Sequence, residues 1–389
     1  MNREFNYEQT TKICFGRGRL EELSSMASTF GKKVLLVTSN KNSSRKELYS
    51  KVREQLEGNG LCVIHYDGVV QNPTTESIDA GVELARVQNV EVVIGLGGGS
   101  VLDSAKAIAM AAVNEGRAWD YLFFKTPQPQ RTLPMIAVPT TSGTGSQVTQ
   151  VAVMTKTETS TKSAIANNLI YPRVAIIDPE LMLSMPQHIT ASTGFDAFCH
   201  CFESYINVNA SPYTDMIALE GIRAVAAYLT RAVQGGQDLE AREGMAWADT
   251  CGGLAIANAG VTLPHGIGMT ISGHCPQIMH GESLALTYPS FLKFTYPGAV
   301  SKFAEVGRIF QPMLKDVSDQ EAAEGCCEEI EKIMKEIGMW LNFKDFGVET
   351  KMLKKIADRS HDLPDYKNNP VIADVDEIYK VLMEGYERV

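Results

Sequence analysis

Three of the seven histidines in this chain, His265, His274 and His280, fall within sixteen consecutive residues. Imidazole nitrogen is the commonest protein ligand for divalent transition metals, and a carboxylate often completes such a site. Earlier in the chain, Asp196 and His200 stand four residues apart in the segment GFDAFCH. On a helix both side chains project from one face. So placed, they either share a metal ion or form a hydrogen-bonded pair on the helix surface. His265 and His280 are each followed by glycine, which permits close packing nearby. A straight helix would put them about 22 Å apart. They can meet at one ion only if the chain turns, and Gly273 and Pro276 offer that turn. One oxygen and three nitrogens, from Asp196, His200, His265 and His280, suit a divalent iron or zinc ion. With a further position open, such an ion acts as a Lewis acid on a substrate oxygen.

Two polar loops carry a different chemistry. The run Ile94-Gly95-Leu96-Gly97-Gly98-Gly99-Ser100 follows a strand-like segment and precedes a helix-like one. Glycine lets a backbone approach a phosphate closely, and the free N–H groups of a helix start favour negative charge. The same run also reads as a purely structural turn, since it lacks the G-x-G-x-x-G spacing. Asp103, one turn further on, is placed to cap the helix or to meet a ribose hydroxyl. The second loop, 139–146 (PTTSGTGS), includes Thr140, Thr141, Ser142 and Thr144. Loops at the C-terminal ends of parallel strands are where open α/β sheets bind ligands.

These residues need a scaffold. In the first half, short β-branched runs at 33–39, 62–66, 92–96, 135–138 and 174–177 alternate with helical periodicity at 45–58, 74–87 and 101–113. That order predicts a parallel sheet covered on both faces. Residues 150–165 read as a hairpin. Beyond about residue 186 strand signals nearly vanish, and helical segments follow at 191–206, 215–233, 239–258, 300–309, 320–337, 349–358 and 374–386. The expected division is therefore an α/β dinucleotide-binding domain at 1–185 and an all-helical domain at 186–389. The chain has 389 residues, 44% apolar and 21% charged, with a formal charge of −10. An acidic balance argues against a nucleic-acid partner, which wants a basic footprint. Eight cysteines without a C-x-x-C pair fit a reduced, cytoplasmic protein, and no apolar run is long enough to span a membrane.

Taken together, these segments resemble the iron-containing (group III) alcohol dehydrogenases over nearly the whole chain. The residues that carry the resemblance are Phe15-Gly16-Arg17-Gly18, the runs at 97–106 (GGGSVLDSAK), 139–149 (PTTSGTGSQVT) and 194–205 (GFDAFCHCFESY), and Ile177-Asp178-Pro179-Glu180, His265-Gly266, His280-Gly281 and Asn369-Pro370. The resemblance implies the two-domain architecture shared with dehydroquinate synthase, and hydride transfer between a small alcohol or aldehyde and NAD or NADP. It implies a divalent metal, Fe2+ or Zn2+, on Asp196, His200, His265 and His280. It places the pyrophosphate at Gly97, Gly98, Gly99 and Ser100, nucleotide contacts at Thr140, Thr141 and Ser142, and Lys162 near the nicotinamide ribose. It also implies a homodimer or a larger homo-oligomer.

Three departures stand out. Family members commonly carry a proton-relay histidine four residues after the third ligand, where this chain has Met269. His274 lies nearby in sequence but out of register; water and a ribose hydroxyl could serve instead. The interval from His265 to His280 is one residue longer than usual, so the turn must bulge. An acidic residue after the first strand often selects NAD, and here Ser39 stands in that region. Ser39 removes a repulsion, and Lys41 or Arg45 could attract a 2′-phosphate, which favours NADP. Two rival readings share the architecture: an NAD-using lyase or cyclase resembling dehydroquinate synthase, and a non-catalytic assembly subunit. No Lys/Arg cluster around 190–280 supports the first, and the Asp-plus-three-His set opposes the second.

Overall fold

The computed structural model describes residues 4–40, 44–126 and 128–388. The chain forms two compact units. One comprises residues 8–141 and 145–182; the other comprises the residues up to 7, the tripeptide 142–144, and everything from 183 onward. The expected boundary after residue 185 stands beside this division at 182/183, with the tripeptide 142–144 additionally grouped with the helical unit.

The first unit is α/β. Its strands are β1 (Lys12–Phe15), β2 (Lys33–Ser39), β3 (Cys62–Val69), β4 (Val92–Gly97), β5 (Met135–Pro139), β6 (Val151–Lys156), β7 (Thr161–Ala166) and β8 (Val174–Ile177). Six of them make one parallel sheet in the order β1-β8-β5-β4-β2-β3, and β6 and β7 form an antiparallel hairpin. Helices α1 (Leu23–Ser28), α2 (Lys46–Gly58), α3 (Thr75–Val87) and α4 (Gly99–Ala111) cover the sheet. Alternate strand residues point to opposite faces. Leu35, Val37 and Val93 pack with Ile78, Val82 and Ile108 of α3 and α4. Val34, Leu36, Val92 and Ile94 pack with Leu23, Val52 and Leu56 of α1 and α2. Burial on both faces is why β2 and β4 read as continuous apolar runs rather than alternating ones.

The chain leaves β2, adds β3 on one side, then returns to add β4 on the other. Such a reversal opens a crevice at the C-terminal ends of β2 and β4, where α/β sheets take ligands. β4 ends at Gly97, and Gly98 is the N-cap of α4. The glycine-rich turn therefore sits at that switch point. β1 was absent from the expected strands. It is a four-residue edge strand, paired among the described residues with β8, and its pattern is too short to signal itself.

The second unit is helical: α5 (Gln187–Ile206), α6 (Pro212–Gln234), α7 (Leu239–Ala259), α8 (Leu263–His274), α9 (His280–Thr295), α10 (Val300–Phe310), α11 (Asp319–Glu336), α12 (Thr350–Arg359) and α13 (Val375–Glu387). Side-chain caps start several of them. Ser211 accepts from Thr214 N ahead of Pro212, Asp238 caps α7, and the Ser318–Glu321 and Asp374–Glu377 capping boxes open α11 and α13. α5 is the central helix, buried over most of its length. Phe195, Phe198 and Phe202 of α5 pack on one another and on Tyr288 of α9, with Phe195 and Tyr288 edge to face at 5.1 Å. Among the described residues no single helix is long and apolar enough to cross a membrane.

Candidate metal centre and dinucleotide loops

α5 brings Asp196 and His200 to one face, as their four-residue spacing requires. Both are buried, which sets aside the reading of a pair on the helix surface. His265 comes from the first turn of α8 and His280 from the first residue of α9. The turn at 275–279 reverses the chain between them, tied by Ile278 N donating to Cys275 O at 3.0 Å. It occupies the place where Gly273 and Pro276 suggested a bend. Gly281 lets α9 come close to α5: a Cβ there would fall inside the radius of Ser192 O.

The four side chains converge. His200 Nε2, His265 Nε2 and His280 Nε2 lie 3.8, 3.6 and 3.9 Å from Asp196 Oδ1. These separations are too long for hydrogen bonds. They lie at or a few tenths of an ångström beyond the edges of a tetrahedral coordination shell, which are about 3.3–3.6 Å for typical metal–nitrogen and metal–oxygen bonds. Ligand atoms of Asp196, His265 and His280 all lie within 4.8 Å of one another. Asp196 Oδ1 and His265 Nε2 are buried without a hydrogen-bond partner among the described residues. Buried polar atoms rarely stay so unless an ion or water satisfies them. The donor set of one carboxylate and three imidazoles fits a divalent iron or zinc ion.

The surrounding groups hold these rings in one tautomer. His200 Nδ1–H donates to Gly143 O at 2.9 Å, and His265 Nδ1–H donates to Glu203 Oε1 at 2.8 Å. Each leaves an Nε2 lone pair facing Asp196. Partners of this kind orient a ligating ring and raise its basicity. Glu203 is fully buried, and its other oxygen accepts from Thr262 N at 2.8 Å and Thr262 Oγ1 at 3.1 Å. Two buried carboxylates, Asp196 and Glu203, call for positive charge between them. Burial pushes the Asp196 carboxyl up, but His200, then His265 and His280, outweigh it and hold the group down at about 2. Burial pulls His265 down, yet Glu203 and then Asp196 raise it to about 10. A metal ion would replace the proton that this field otherwise draws in.

His274, the nearest histidine to the missing relay position, is not brought to this cluster. It closes α8, about 13 Å along the helix from His265. Its Nδ1–H donates to Thr270 O at 3.1 Å, and burial lowers its basicity, helped by Lys355 and Arg359. A relay role there has no geometric support. Phe195 and Phe198, either side of Asp196 on α5, are core residues.

In the α/β unit, the two loops meet. Thr140 N donates to Gly97 O at 2.9 Å, and a Cβ on Gly98 would lie 3.2 Å from Thr141 Cγ2. Asp103 does not cap α4. Its carboxylate accepts from Ser146 Oγ at 2.6 Å and Val153 N at 3.1 Å, so it ties α4 to the loop and to β6. Lys162, on β7, donates to Asn72 Oδ1 at 3.0 Å. Ser39, at the end of β2, shares a 2.7 Å hydrogen bond with Tyr49 Oη. Arg45 is the N-cap residue of α2, and Lys41 lies outside the described residues. Ser142 and Thr144, expected at the nucleotide, belong to the tripeptide that packs with the helical unit.

Glu203, Thr262 and the Gly143 carbonyl were missed at the level of sequence. Asp196, His200 and Glu203 stand at i, i+4 and i+7, so one helical stripe already contained Glu203. The Gly143 carbonyl carries no sequence signal, because any residue has one.

Known proteins resemble this chain over nearly its whole length. The sequence profile described as iron-containing alcohol dehydrogenase matches residues 10–179, and the C-terminal profile of the Fe-containing alcohol dehydrogenase family matches 190–386. The NAD-dependent methanol dehydrogenase of Bacillus methanolicus is 30% identical, over 94% of this chain and 96% of its own. The 1,3-propanediol dehydrogenase of Citrobacter freundii is 31% identical, over 99% of both. A crystal structure of a 1,3-propanediol oxidoreductase superposes with a TM-score of 0.93 at 30% identity, covering 99% of this chain and 100% of that one.

Proposed function

Because the chain belongs to the iron-containing alcohol dehydrogenase family, and is a metal- and nicotinamide-dependent alcohol oxidoreductase, we propose that Asp196, His200, His265 and His280 hold its metal ion. The observation that carries this reading is the meeting of three imidazole Nε2 atoms around Asp196 Oδ1 at 3.6–3.9 Å. The reaction interconverts a small alcohol plus oxidised dinucleotide with an aldehyde or ketone plus reduced dinucleotide and a proton. When bound, a divalent ion would supply Lewis acidity towards a substrate oxygen, and a nicotinamide dinucleotide would supply the hydride chemistry. The chain's own residues position these partners. Glu203 and the Gly143 carbonyl fix the tautomers of His265 and His200. Gly97, Gly98, Gly99 and Ser100 present the start of α4 to the pyrophosphate. Thr140, Thr141, Ser142 and Thr144 line the nucleotide, and Lys162 serves the nicotinamide ribose. With Met269 at the usual relay position, this chain places no imidazole there, and the proton would pass to water.

Short alcohols and diols are the substrates we favour, given that relatives named for methanol and 1,3-propanediol match nearly end to end. Ser39 presents a neutral hydroxyl, so the site accepts NADP as well as NAD. We assign the enzyme to the cytoplasm, in line with eight free cysteines, and to a homo-oligomer, in line with the exposed Tyr213 and Met216. Chelation followed by addition of Fe2+ or Zn2+ tests the central reading. Turnover should vanish and return with metal; full activity in a metal-free sample would overturn it. Net build-up of reduced dinucleotide with a simple alcohol separates this enzyme from a lyase or cyclase, which returns its cofactor oxidised.

A further inference from the structure

Gly143 is held at both of its polar groups. Its carbonyl accepts the His200 Nδ1–H at 2.9 Å, and its own N–H donates to Asp249 Oδ1 at 2.8 Å. Asp249 is buried on α7, and His200 is buried on α5. One residue of a loop therefore bridges two helices of the unit, with a carboxylate at one end and an imidazole at the other. The fit leaves no room for variation. A Cβ on Gly143 would lie 2.6 Å from both the Cβ and the carbonyl oxygen of Thr193. On the α7 side, a Cβ on Gly252 would lie 3.1 Å from His200 Cβ, so that helix also comes close to the ring.

A loop carbonyl is a poor anchor unless its own chain is anchored. Loop backbone is more mobile than the elements it joins. A charged acceptor for a backbone N–H makes a shorter and stronger bond than a neutral one. We propose that Asp249 is a positioning residue for the metal centre: it pins Gly143 to α7 so that the carbonyl can fix the His200 tautomer and aim Nε2 at Asp196. Asp249 touches neither metal nor substrate in this scheme. It acts through one loop residue, the N, Cα, C and O of Gly143 linking it to the imidazole it serves. The proposal rests on the reading of His200 as a ligand.

The test measures metal binding rather than turnover. Co2+ is titrated into metal-free full-length protein against a competing chelator, and its visible ligand-field spectrum is recorded. Asp249→Ala should weaken Co2+ binding by about 10–100-fold, the range for lost outer-shell partners, and shift the spectrum. Asp249→Asn keeps an acceptor oxygen and should recover most of the affinity. Unchanged affinity and spectrum in Asp249→Ala would overturn the proposal. His200→Ala is run alongside. If it too binds Co2+ normally, the reading of His200 as a ligand fails; if it loses binding while Asp249→Ala does not, only the role of Asp249 fails. Should Asp249→Ala not fold, nitrogen NMR of 15N-histidine-labelled wild type decides, with His200 assigned from His200→Gln. Protonation at Nδ1 is expected, and a proton on Nε2 would overturn the proposal.

Discussion

Glu203 Oε1 accepts the Nδ1–H of His265 at 2.8 Å, with both groups buried and seven residues separating Glu203 from Asp196 on the same helix. The carboxylate thus serves the ring that comes from α8, not the one beside it on α5. Replacing it with Gln would turn a donor towards Thr262 N or towards the imidazole. Glu203→Gln should reduce metal affinity by about 10–100-fold. Metal content after dialysis against a graded chelator series would show it, and an unaltered release curve would refute it.

Gly281→Ala places a methyl group against Ser192 O, where α5 and α9 touch. Overpacking of this kind costs about 1–3 kcal/mol. His280 is the residue before it, so the displaced helix start moves a ligand as well. The variant should unfold at lower denaturant and bind metal more weakly, both read in one urea titration with and without Zn2+. Normal stability together with normal metal content would contradict the packing argument.

Ser39→Asp puts a negative charge at the end of β2, beside Tyr49. A carboxylate there accepts from a ribose hydroxyl and repels a 2′-phosphate. The ratio of kcat/KM with NAD to that with NADP should rise by about tenfold or more, an effect of roughly 1.4 kcal/mol. Steady-state kinetics with both dinucleotides checks it; an unchanged ratio places the adenosine ribose elsewhere.

Lys106 is fully buried and donates to Thr149 O and Thr149 Oγ1, both at 3.1 Å, and to Val151 O at 2.5 Å. Burial drives its ammonium down to about 8, against the opposing pull of Asp103. The unfolded chain holds this proton up to about pH 10.5, the ordinary range for lysine. Between pH 8 and 10.5 the folded state therefore binds fewer protons, so stability rises with pH through that window. The gain amounts to about 3 kcal/mol. Lys106→Met should flatten the rise relative to wild type in urea midpoints measured from pH 7.5 to 10.5. Parallel curves would exclude the coupling.

Much of this architecture is legible in the sequence. The strand at 33–39 and the one at 174–177 match β2 and β8 residue for residue, because a sheet buried on both faces leaves unbroken β-branched runs. The helices whose ends are marked by Ser211, Asp238, Ser318 and Asp374 were placed within a few residues. The two helices that carry His265 and His280 were not named as helices. α8 contains Gly266, Gly268 and Gly273, and α9 contains Pro289, so local propensity argued against both; tertiary packing overrode it. Asp103 has a second role that its sequence position did not signal. Only the fold shows that its carboxylate also accepts from Ser146 Oγ and Val153 N, tying α4 to the loop and to β6.

The tripeptide 142–144 has a consequence for how such a protein can be cut and recombined. A fragment beginning at residue 183 would contain Asp196, His200, His265 and His280, yet it would lack the Gly143 carbonyl on which His200 depends. Swapping the helical half between relatives at that seam would therefore import a ring without its native acceptor unless the loop from the other half travels with it.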